Sequence, residues 1–318
     1  MSEKLSISII TMNNMEMNRN CLRSIFEYSQ GFSFKVFVLD NNSKDGTVNM
    51  IKEEFPQVEL IESNVNRWFT SNQNIVLKRV QTEYVLLLNN DTLFLDDSIK
   101  LMVDFLETHE DAGAVACKIL NPDHSFQKTT LRCDYDLLTN FSIKTGLVKL
   151  FPKNRIWGRP FMGYADREAV QQIDVYSGAC VMFRKKVIDD TGLLDENISF
   201  GPDDYDYSLR MRKKGWKIYY LPTAKVIHLD KQTRKTNSEF LLEEVKGILY
   251  FYLKHYGKLQ TFILQILMLY GALLKPVYWI YLILCRKLTL SELKDNCAIH
   301  LKFLKLVIFY SGAKFHVL

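Results

Sequence analysis

Four short segments of the 318-residue chain hold side chains able to do chemistry: Asp40 in DNNSKDGT, Asn89-Asn90-Asp91 behind YVLLL, Asp203, Asp204 and Asp206 in FGPDDYDYSLR, and His228 in AKVIHLD. A carboxylate at the end of a strand, as at Asp40, can accept the imide N–H of a uracil or thymine. An Asx turn with a helix cap explains the same residues, and both readings stand. The Asn-Asn-Asp step could hold a hard divalent cation, whose role would be to neutralise a departing diphosphate. Such ions take oxygen ligands and need a rigidly held carboxylate; a simple turn is the alternative. Helix-dipole stabilisation accounts for one or two acids at a helix start. Three within four residues repel one another, and a general base that collects a proton is one further reason for them. His228 could complete a metal site as a neutral imidazole, although a lone histidine is more often structural.

The elements that must position these groups alternate in period. Leu5–Thr11, Phe34–Asp40, 58–62 and 84–88 are apolar runs that predict strands. The spacing predicts helices over 17–29, 46–55, 72–80 and 96–107, with Asp45 placed to cap the second. Strand and helix in this alternation imply right-handed crossovers and a parallel sheet covered on both faces. Ligands bind such sheets at the carboxyl ends of the strands. Four consecutive strands end in polar clusters: Thr11-Met12-Asn13-Asn14, Asp40-Asn41-Asn42-Ser43, the pair Asn64 and Asn66, and Asn89-Asn90-Asp91. Turn chemistry favours these residues at any one end, but four in phase on one edge argue for a binding edge. The 121–172 stretch has no clean period and is taken as an insertion of loops and short helices on the acceptor side. A strand is predicted over 174–184, a helix over 203–214 closed by Gly215, and a short strand over 217–220.

The net charge of +5 is unevenly placed, with 13 Lys+Arg against 6 Asp+Glu from residue 230 onward. In that tail, 262–284 is nearly all apolar and long enough to span a bilayer. Lys275-Pro276 interrupts it, and Tyr270, Tyr278, Trp279 and Tyr281 with flanking Lys and Arg suit an interface. Two helices lying in or dipping into the bilayer are expected, rather than one transmembrane helix or a soluble hairpin. Nucleic acid is the poorer explanation of the basic tail, and no nucleic-acid partner is expected. The six cysteines lack metal or redox spacing, which favours reduced cytosolic thiols. The N-terminus MSEKLSISIIT has no cleavage pattern and is read as the first strand rather than a signal peptide.

Taken together, the strand-one Thr, DNNSKDGT, NRWF…N, LLLNNDT, SGACVMFRKKVIDDTGLLDE, DDYD…R…KKGW and PTAKVIH resemble, in order and spacing, the family-2 glycosyltransferases of the GT-A fold, in their rhamnosyltransferase-like branch. The resemblance runs from about Ser6 to His228. It implies an α/β fold with a Rossmann-like, mostly parallel sheet and helices on both faces. A catalytic domain at 1–232 is implied, with a nucleotide-binding half at about 1–120 and an acceptor half at about 121–232. An α-helical, basic, membrane-associating region follows at 233–318.

The residues carry over by position. Thr11 and Asp40 match places that hold the base. Asn13, Asn42, Asn66, Asn74 and Asn90 fall on the donor side with them. Asp91 matches the last acid of the family's metal motif, and His228 a histidine that approaches the metal or the diphosphate. Asp204 matches the catalytic base, with Asp203, Gly178 and Ala179 on the acceptor side. The resemblance implies Mg²⁺ or Mn²⁺ as cofactor. The implied reaction is a single inverting displacement from dTDP-rhamnose or a UDP-sugar to a hydroxyl of a lipid-linked or cell-envelope glycan, at the cytoplasmic face of the membrane. It also admits a homodimer. Three departures stand out: Trp68 replaces a glycine near the nucleotide, the metal motif has one carboxylate, and Asp203 replaces a glutamate. A nucleotidyltransferase would need a glycine-rich phosphate loop, which TMNNMEMNRN lacks. A catalytically inactive nucleotide-sugar-binding protein at the membrane is the remaining alternative.

Overall fold

The computed structural model describes residues 3–29, 31, 33–229, 238–273, 275–276, 279, 282 and 289–311. The chain divides into two compact units: one of Met1–Asp134, Ala165–Glu196 and Asp203–Lys235, the other of Tyr135–Tyr164, Asn197–Pro202 and Thr236–Leu318.

The first unit is built on a nine-stranded sheet. Its strands are β1 Leu5–Thr11, β2 Phe34–Asp40, β3 Glu59–Glu62, β4 Tyr84–Asn89, β5 Thr92–Phe94, β6 Ala112–Leu120, β7 Gln171–Ile173, β8 Cys180–Arg184 and β9 Lys217–His228. The order is β3-β2-β1-β4-β8-β6-β9-β5, with β7 also on β9. The first four strands are parallel, as the alternation predicts. Thr11 pairs with Asp40, and Ile10 with Asn89. That register brings the polar ends of β1, β2 and β4 to a single edge. Helices α1 Met15–Tyr28, α2 Thr47–Glu54, α3 Phe69–Leu77 and α4 Ser98–Thr108 fall in the expected intervals, with ends shifted by one to three residues. Ile7, Ile9, Leu22, Ile25, Leu86 and Met102 are among the fully buried residues of the core between sheet and helices.

Three expectations are corrected. β6 is absent from the sequence reading because all nine of its residues, AGAVACKIL, are buried and show no alternation. The strand expected over 174–184 is regular only from Cys180, and pairs antiparallel with β4 and β6. The stretch before it opens into a turn that carries Gly178. The short strand expected over 217–220 continues to His228. Pro222 hides that continuation. Its missing N–H falls in a register break, where Cys117↔Leu221 is followed by Lys118↔Lys225. His228 therefore ends a strand instead of following one.

Helix α7 covers Lys185–Thr191, and α8 Asp203–Lys213. α8 is anchored by a buried ion pair. Asp206, 1% exposed, accepts from Arg210 Nε at 2.7 Å. Arg210 also donates to the carbonyls of Thr191 (3.0 Å) and Leu193 (2.9 Å), and Tyr207 Oη donates to Gly192 O at 3.1 Å. One of the three crowded acids thus fixes the helix that presents another.

The second unit is helical: α5 Leu137–Thr145, α6 Leu147–Leu150, α9 Ser238–Leu273 and α10 Leu290–Phe309. Asp136 caps α5 by accepting from Thr139 N at 2.8 Å. α9 breaks at Gly257, whose φ of 81° leaves the helical region. Asn140 donates to Tyr252 Oη at 2.7 Å, tying α5 to α9, and Gln265 donates to Val307 O at 2.6 Å, tying α9 to α10. Among the described residues no helix is long and apolar enough to cross a membrane. The apolar stretch 262–284 lies partly outside them.

Candidate active site

The edge read as the donor side starts at β1 and β2. Thr11 is 1% exposed; its Oγ1 accepts from Asn90 Nδ2 at 3.1 Å and donates to Asn13 O at 3.3 Å. Asp40 is 2% exposed, and its Oδ2 accepts the Ser43 N–H at 3.0 Å. Its Oδ1 is buried with no partner. A buried carboxylate oxygen left unsatisfied is costly unless a donor arrives, and the imide N–H of a pyrimidine base is such a donor. Asn13, Asn14 and Asn42 all adopt positive φ, at 59°, 65° and 64°. Asparagine tolerates this region better than other non-glycine residues, and such conformations gather at functional sites. Asn13 donates its N–H to Ser43 Oγ (2.6 Å), while its Oδ1 accepts the Lys44 N–H (2.8 Å), which locks the two loops together. Asn42 Oδ1 accepts from Lys44 Nζ at 2.6 Å. A cavity of about 480 Å³ lies beside this edge, lined by Asn14, Met15, Glu16, Met17, Asp45 and Leu229. Neither Asp91 nor Asp204 lines it.

Two expected donor-side residues are committed elsewhere. Asn66 Oδ1 accepts from Asn41 Nδ2 at 2.7 Å, which ties the loop after β3 to the end of β2. Asn74, 2% exposed, donates to Leu194 O and Glu196 Oε1, both at 2.9 Å, and accepts the Leu194 N–H at 3.0 Å. Its amide is spent holding the GLLDE segment and is not offered at the strand edge. The same contact, with Ser71, keeps the Glu196 carboxyl below its ordinary range although burial works the other way.

Asp91 and His228, distant in sequence, meet. β5 pairs Thr92 with His228, and Leu229 N donates to Asp91 O at 2.9 Å. His228 Nε2 lies 3.1 Å from Asp91 Oδ1. The alignment is not that of a hydrogen bond, and this oxygen is buried without a hydrogen-bond partner. The other ring nitrogen explains why. His228 Nδ1 is 3.0 Å from Gln127 Oε1, while the Gln127 amide nitrogen donates to Asn121 Oδ1 at 3.2 Å. With Oε1 as the acceptor, Nδ1 carries the proton and Nε2 presents its lone pair to Asp91. Asn89 Nδ2 lies 3.4 Å from the same Nε2, and a carboxylate oxygen facing an imidazole lone pair is an arrangement that suits a cation. Their separation also matches neighbouring ligands of an octahedral ion with bonds of about 2.1 Å, which stand about 3.0 Å apart. The negative charge of Asp91 is felt nearby: burial, and then that charge, push the Cys21 thiol up to about 12. Among the described residues no three His, Cys, Asp or Glu side chains converge. Asp91 and His228 therefore fit a divalent cation as two of its ligands.

Gly178 and Ala179, expected on the acceptor side, lie between these strands and α8. Ala179 O accepts the Asn89 N–H at 3.0 Å and the Thr92 hydroxyl at 3.3 Å, on either side of Asp91. The Gly178 N–H donates to Asp204 Oδ2 at 3.2 Å. The neighbours of Asp91 and Asp204 itself thus bond to one two-residue segment. Asp204 Oδ2 is also paired with Arg132, which in addition donates to Tyr176 O and packs 4.8 Å over the Tyr205 ring. Burial alone would lower the arginine's pKa, but the charges of Asp204 and Tyr205 outweigh it and hold the guanidinium more firmly protonated. Both partners are largely buried, at 11% and 13% side-chain exposure. Among the described residues, the hydrogen bonds of Asp204 fall on Oδ2, and Oδ1 carries none. Burial and the charge of Asp204 raise the Asp203 carboxyl well above the usual range. The three acids at the start of α8 thus have separate fates: Asp206 anchors, Asp203 is driven toward its neutral form, and Asp204 is ion-paired.

Sequence reasoning missed Gln127 and Arg132. Both fall in the aperiodic 121–172 stretch, where nothing marks a glutamine that orients a histidine or an arginine that pairs with a distant acid.

The family model for glycosyl transferase family 2 matches residues 6–192. The chain belongs to that family, and its architecture is the GT-A fold. Among curated proteins it is 24% identical over 204 residues to the N-acetylglucosaminyl-diphospho-decaprenol L-rhamnosyltransferase of Mycobacterium tuberculosis, covering 61% of this chain and 66% of that protein. It is 21% identical over 241 residues to the O-antigen biosynthesis protein RfbC of Myxococcus xanthus, covering 74% of this chain and 18% of the other. The match thus spans just under two thirds of the rhamnosyltransferase's length. Among solved structures, the mannosyltransferase PcManGT of Pyrobaculum calidifontis, in complex with GDP-Man and Mn²⁺, superposes with a TM-score of 0.56 at 15% identity, covering 96% of this chain and 84% of that one. S. aureus TarS 1–349 with UDP-GlcNAc gives 0.52 at 16% identity, covering 83% and 70%.

Proposed function

We propose that the protein is a metal-dependent, inverting glycosyltransferase. It moves a hexosyl or deoxyhexosyl group from dTDP-rhamnose or a UDP-sugar to a hydroxyl of a lipid-linked or cell-envelope glycan. The observation that carries this reading is that the Asp91–His228 pair and Asp204 are both tied to the Gly178–Ala179 segment, the first through Asn89 and Thr92 on Ala179 O and the second through the Gly178 N–H. The rhamnosyltransferase relative, whose name gives a lipid-linked acceptor, supports the donor and acceptor classes. Solved neighbours in complex with nucleotide-sugars, one of them with Mn²⁺, support the donor chemistry and a divalent cofactor. The apolar, basic C-terminal helices suit a peripheral place on the cytoplasmic face of the membrane.

Each residue has a share in the mechanism. Asp40 offers Oδ1 to the base, and Thr11 and Asn90 hold one another at the adjoining strand ends. Asp91 Oδ1 and His228 Nε2 would hold Mg²⁺ or Mn²⁺, which when bound offsets the charge growing on the departing nucleoside diphosphate. Gln127 keeps the imidazole in the tautomer that has Nε2 free. Arg132 and the Gly178 N–H fix Asp204 through Oδ2. Asp204 Oδ1 takes the acceptor's hydroxyl proton as that oxygen bonds to the anomeric carbon and the bond from that carbon to the diphosphate breaks. One displacement from the opposite face inverts the anomeric centre.

Titration with UDP, dTDP and GDP in the presence of Mn²⁺, followed by a panel of their sugars, tests this. The pyrimidine nucleotides are expected to bind more tightly. Asp40→Ala should weaken them by about 10- to 100-fold through loss of a charge-assisted hydrogen bond. A preference for GDP that Asp40→Ala leaves unchanged would reject the base assignment.

A further inference from the structure

The helical unit gathers the 135–164 insertion with the C-terminal helices. Its sequence holds 15 Lys+Arg against 6 Asp+Glu, a formal +9, while the rest of the chain holds 26 against 30, a formal −4. It is also where apolar surface is exposed: 16 of the 20 exposed large apolar side chains among the described residues belong to it. Soluble proteins seldom concentrate such surface without a partner.

The insertion contributes its own part. Leu150 is 70% exposed, Phe151 51% and Ile156 52%. Lys149, Lys153 and Arg155 are interleaved with them. The α5 helix just before them adjoins the exposed end of α9. The Lys144 stem, at the end of α5, lies where a Cβ on Gly271 would touch it at 3.8 Å, and Leu273 beside it is 72% exposed. One turn further on, Lys275 stands 5.3 Å over the Phe303 ring of α10. Two cations sit side by side at the edge of an apolar patch.

We propose that the 135–164 insertion docks on an anionic phospholipid surface, with Leu150, Phe151 and Ile156 entering the interface and Lys149, Lys153 and Arg155 meeting lipid phosphates. The proposal rests on the reading of the C-terminal helices as membrane-associating and adds a second, separate element to that surface. Apolar side chains alternating with cations are what a headgroup boundary accommodates. A nucleic acid would leave the apolar side chains without a partner. A symmetric contact between two such faces would set Lys149, Lys153 and Arg155 against their own copies.

Co-sedimentation of the full chain with vesicles tests the proposal, using phosphatidylcholine mixed with phosphatidylglycerol and phosphatidylcholine alone. The wild type is expected to favour the anionic vesicles. The double variant Leu150→Glu/Phe151→Glu should lose about 100-fold in partitioning, from about tenfold for each apolar side chain withdrawn. Lys149→Ala/Lys153→Ala/Arg155→Ala should lose about as much on anionic vesicles alone, at about fivefold per cation. Both variants change exposed residues and should keep the wild-type circular dichroism and nucleotide affinity. Wild-type partitioning by the double variant would overturn the insertion's role while leaving the tail reading intact. Failure of the wild type to bind any vesicle would overturn both. A dimer in analytical ultracentrifugation that the double variant dissociates would also overturn the proposal, because the patch would then be a protein interface.

Discussion

Asp204→Asn is expected to lower sugar transfer by about 10²- to 10⁴-fold, the usual cost of removing a positioned base, with nucleotide affinity close to wild type. The substitution isolates proton transfer. The amide oxygen can still accept from Arg132 and from the Gly178 N–H, the two contacts that now fall on Oδ2. What disappears is the basicity of Oδ1. The change also removes the countercharge of Arg132, and breaking a buried pair costs about 3–5 kcal/mol when one charge is left uncompensated. Thermal denaturation must therefore accompany the kinetics. Slower transfer by a protein that stays folded and still binds nucleotide identifies the base. Transfer within a few-fold of wild type would remove Asp204 from the chemistry. With Asp204 as the base, Arg132 would position it through Oδ2.

Asp91→Ala is expected to abolish the metal-dependent part of donor binding and to reduce transfer by at least about 100-fold, because the rigid carboxylate of the site is lost. The substitution also relieves an unpartnered buried oxygen facing His228 Nε2, so the fold should not be weakened. Calorimetric titration of nucleotide with Mn²⁺ and with excess chelator measures the effect. The wild type should bind much more tightly with metal, and Asp91→Ala equally with and without it. Gln127→Leu, which keeps both ligands but frees the imidazole to turn, should fall between them, at about 10- to 100-fold weaker metal affinity, as for other groups that orient a metal-bound histidine. If metal strengthens nucleotide binding in Asp91→Ala as it does in the wild type, Asp91 is not a ligand.

The polar strand edge was legible because its signal is local. Each of β1, β2 and β4 is a short buried run that ends in Asn, Asp or Thr, and parallel register turns those sequence neighbours into spatial ones. Asp91 and His228 could be named for the same reason, although the sequence said nothing of their 3.1 Å approach. What stayed hidden depends on long-range packing. β6 is buried on both faces and has no period to read. The bulge at Pro222 turns an apparent end into the middle of a strand that delivers His228. α3 buries Thr70, Asn72, Gln73 and Asn74, so its inner face looks polar in sequence. Gln73 satisfies Ser8 in the sheet at 2.8 Å, and Asn74 holds the GLLDE segment. This is why an asparagine in the right interval was read as a donor ligand. Gln127 and Arg132 act on partners 101 and 72 residues away, and no spacing rule reaches that far.

The central claim is that Asp91 with His228 and Asp204, all tied to Gly178–Ala179, serve one reaction centre. A crystal structure with Mn²⁺ and a non-hydrolysable pyrimidine nucleotide-sugar measures it directly. The account predicts Mn²⁺ bound by Asp91 Oδ1 and His228 Nε2, the base on Asp40, and the anomeric carbon exposed toward Asp204 Oδ1. A donor bound with its sugar turned away from Asp204, or Mn²⁺ held without Asp91, would contradict it.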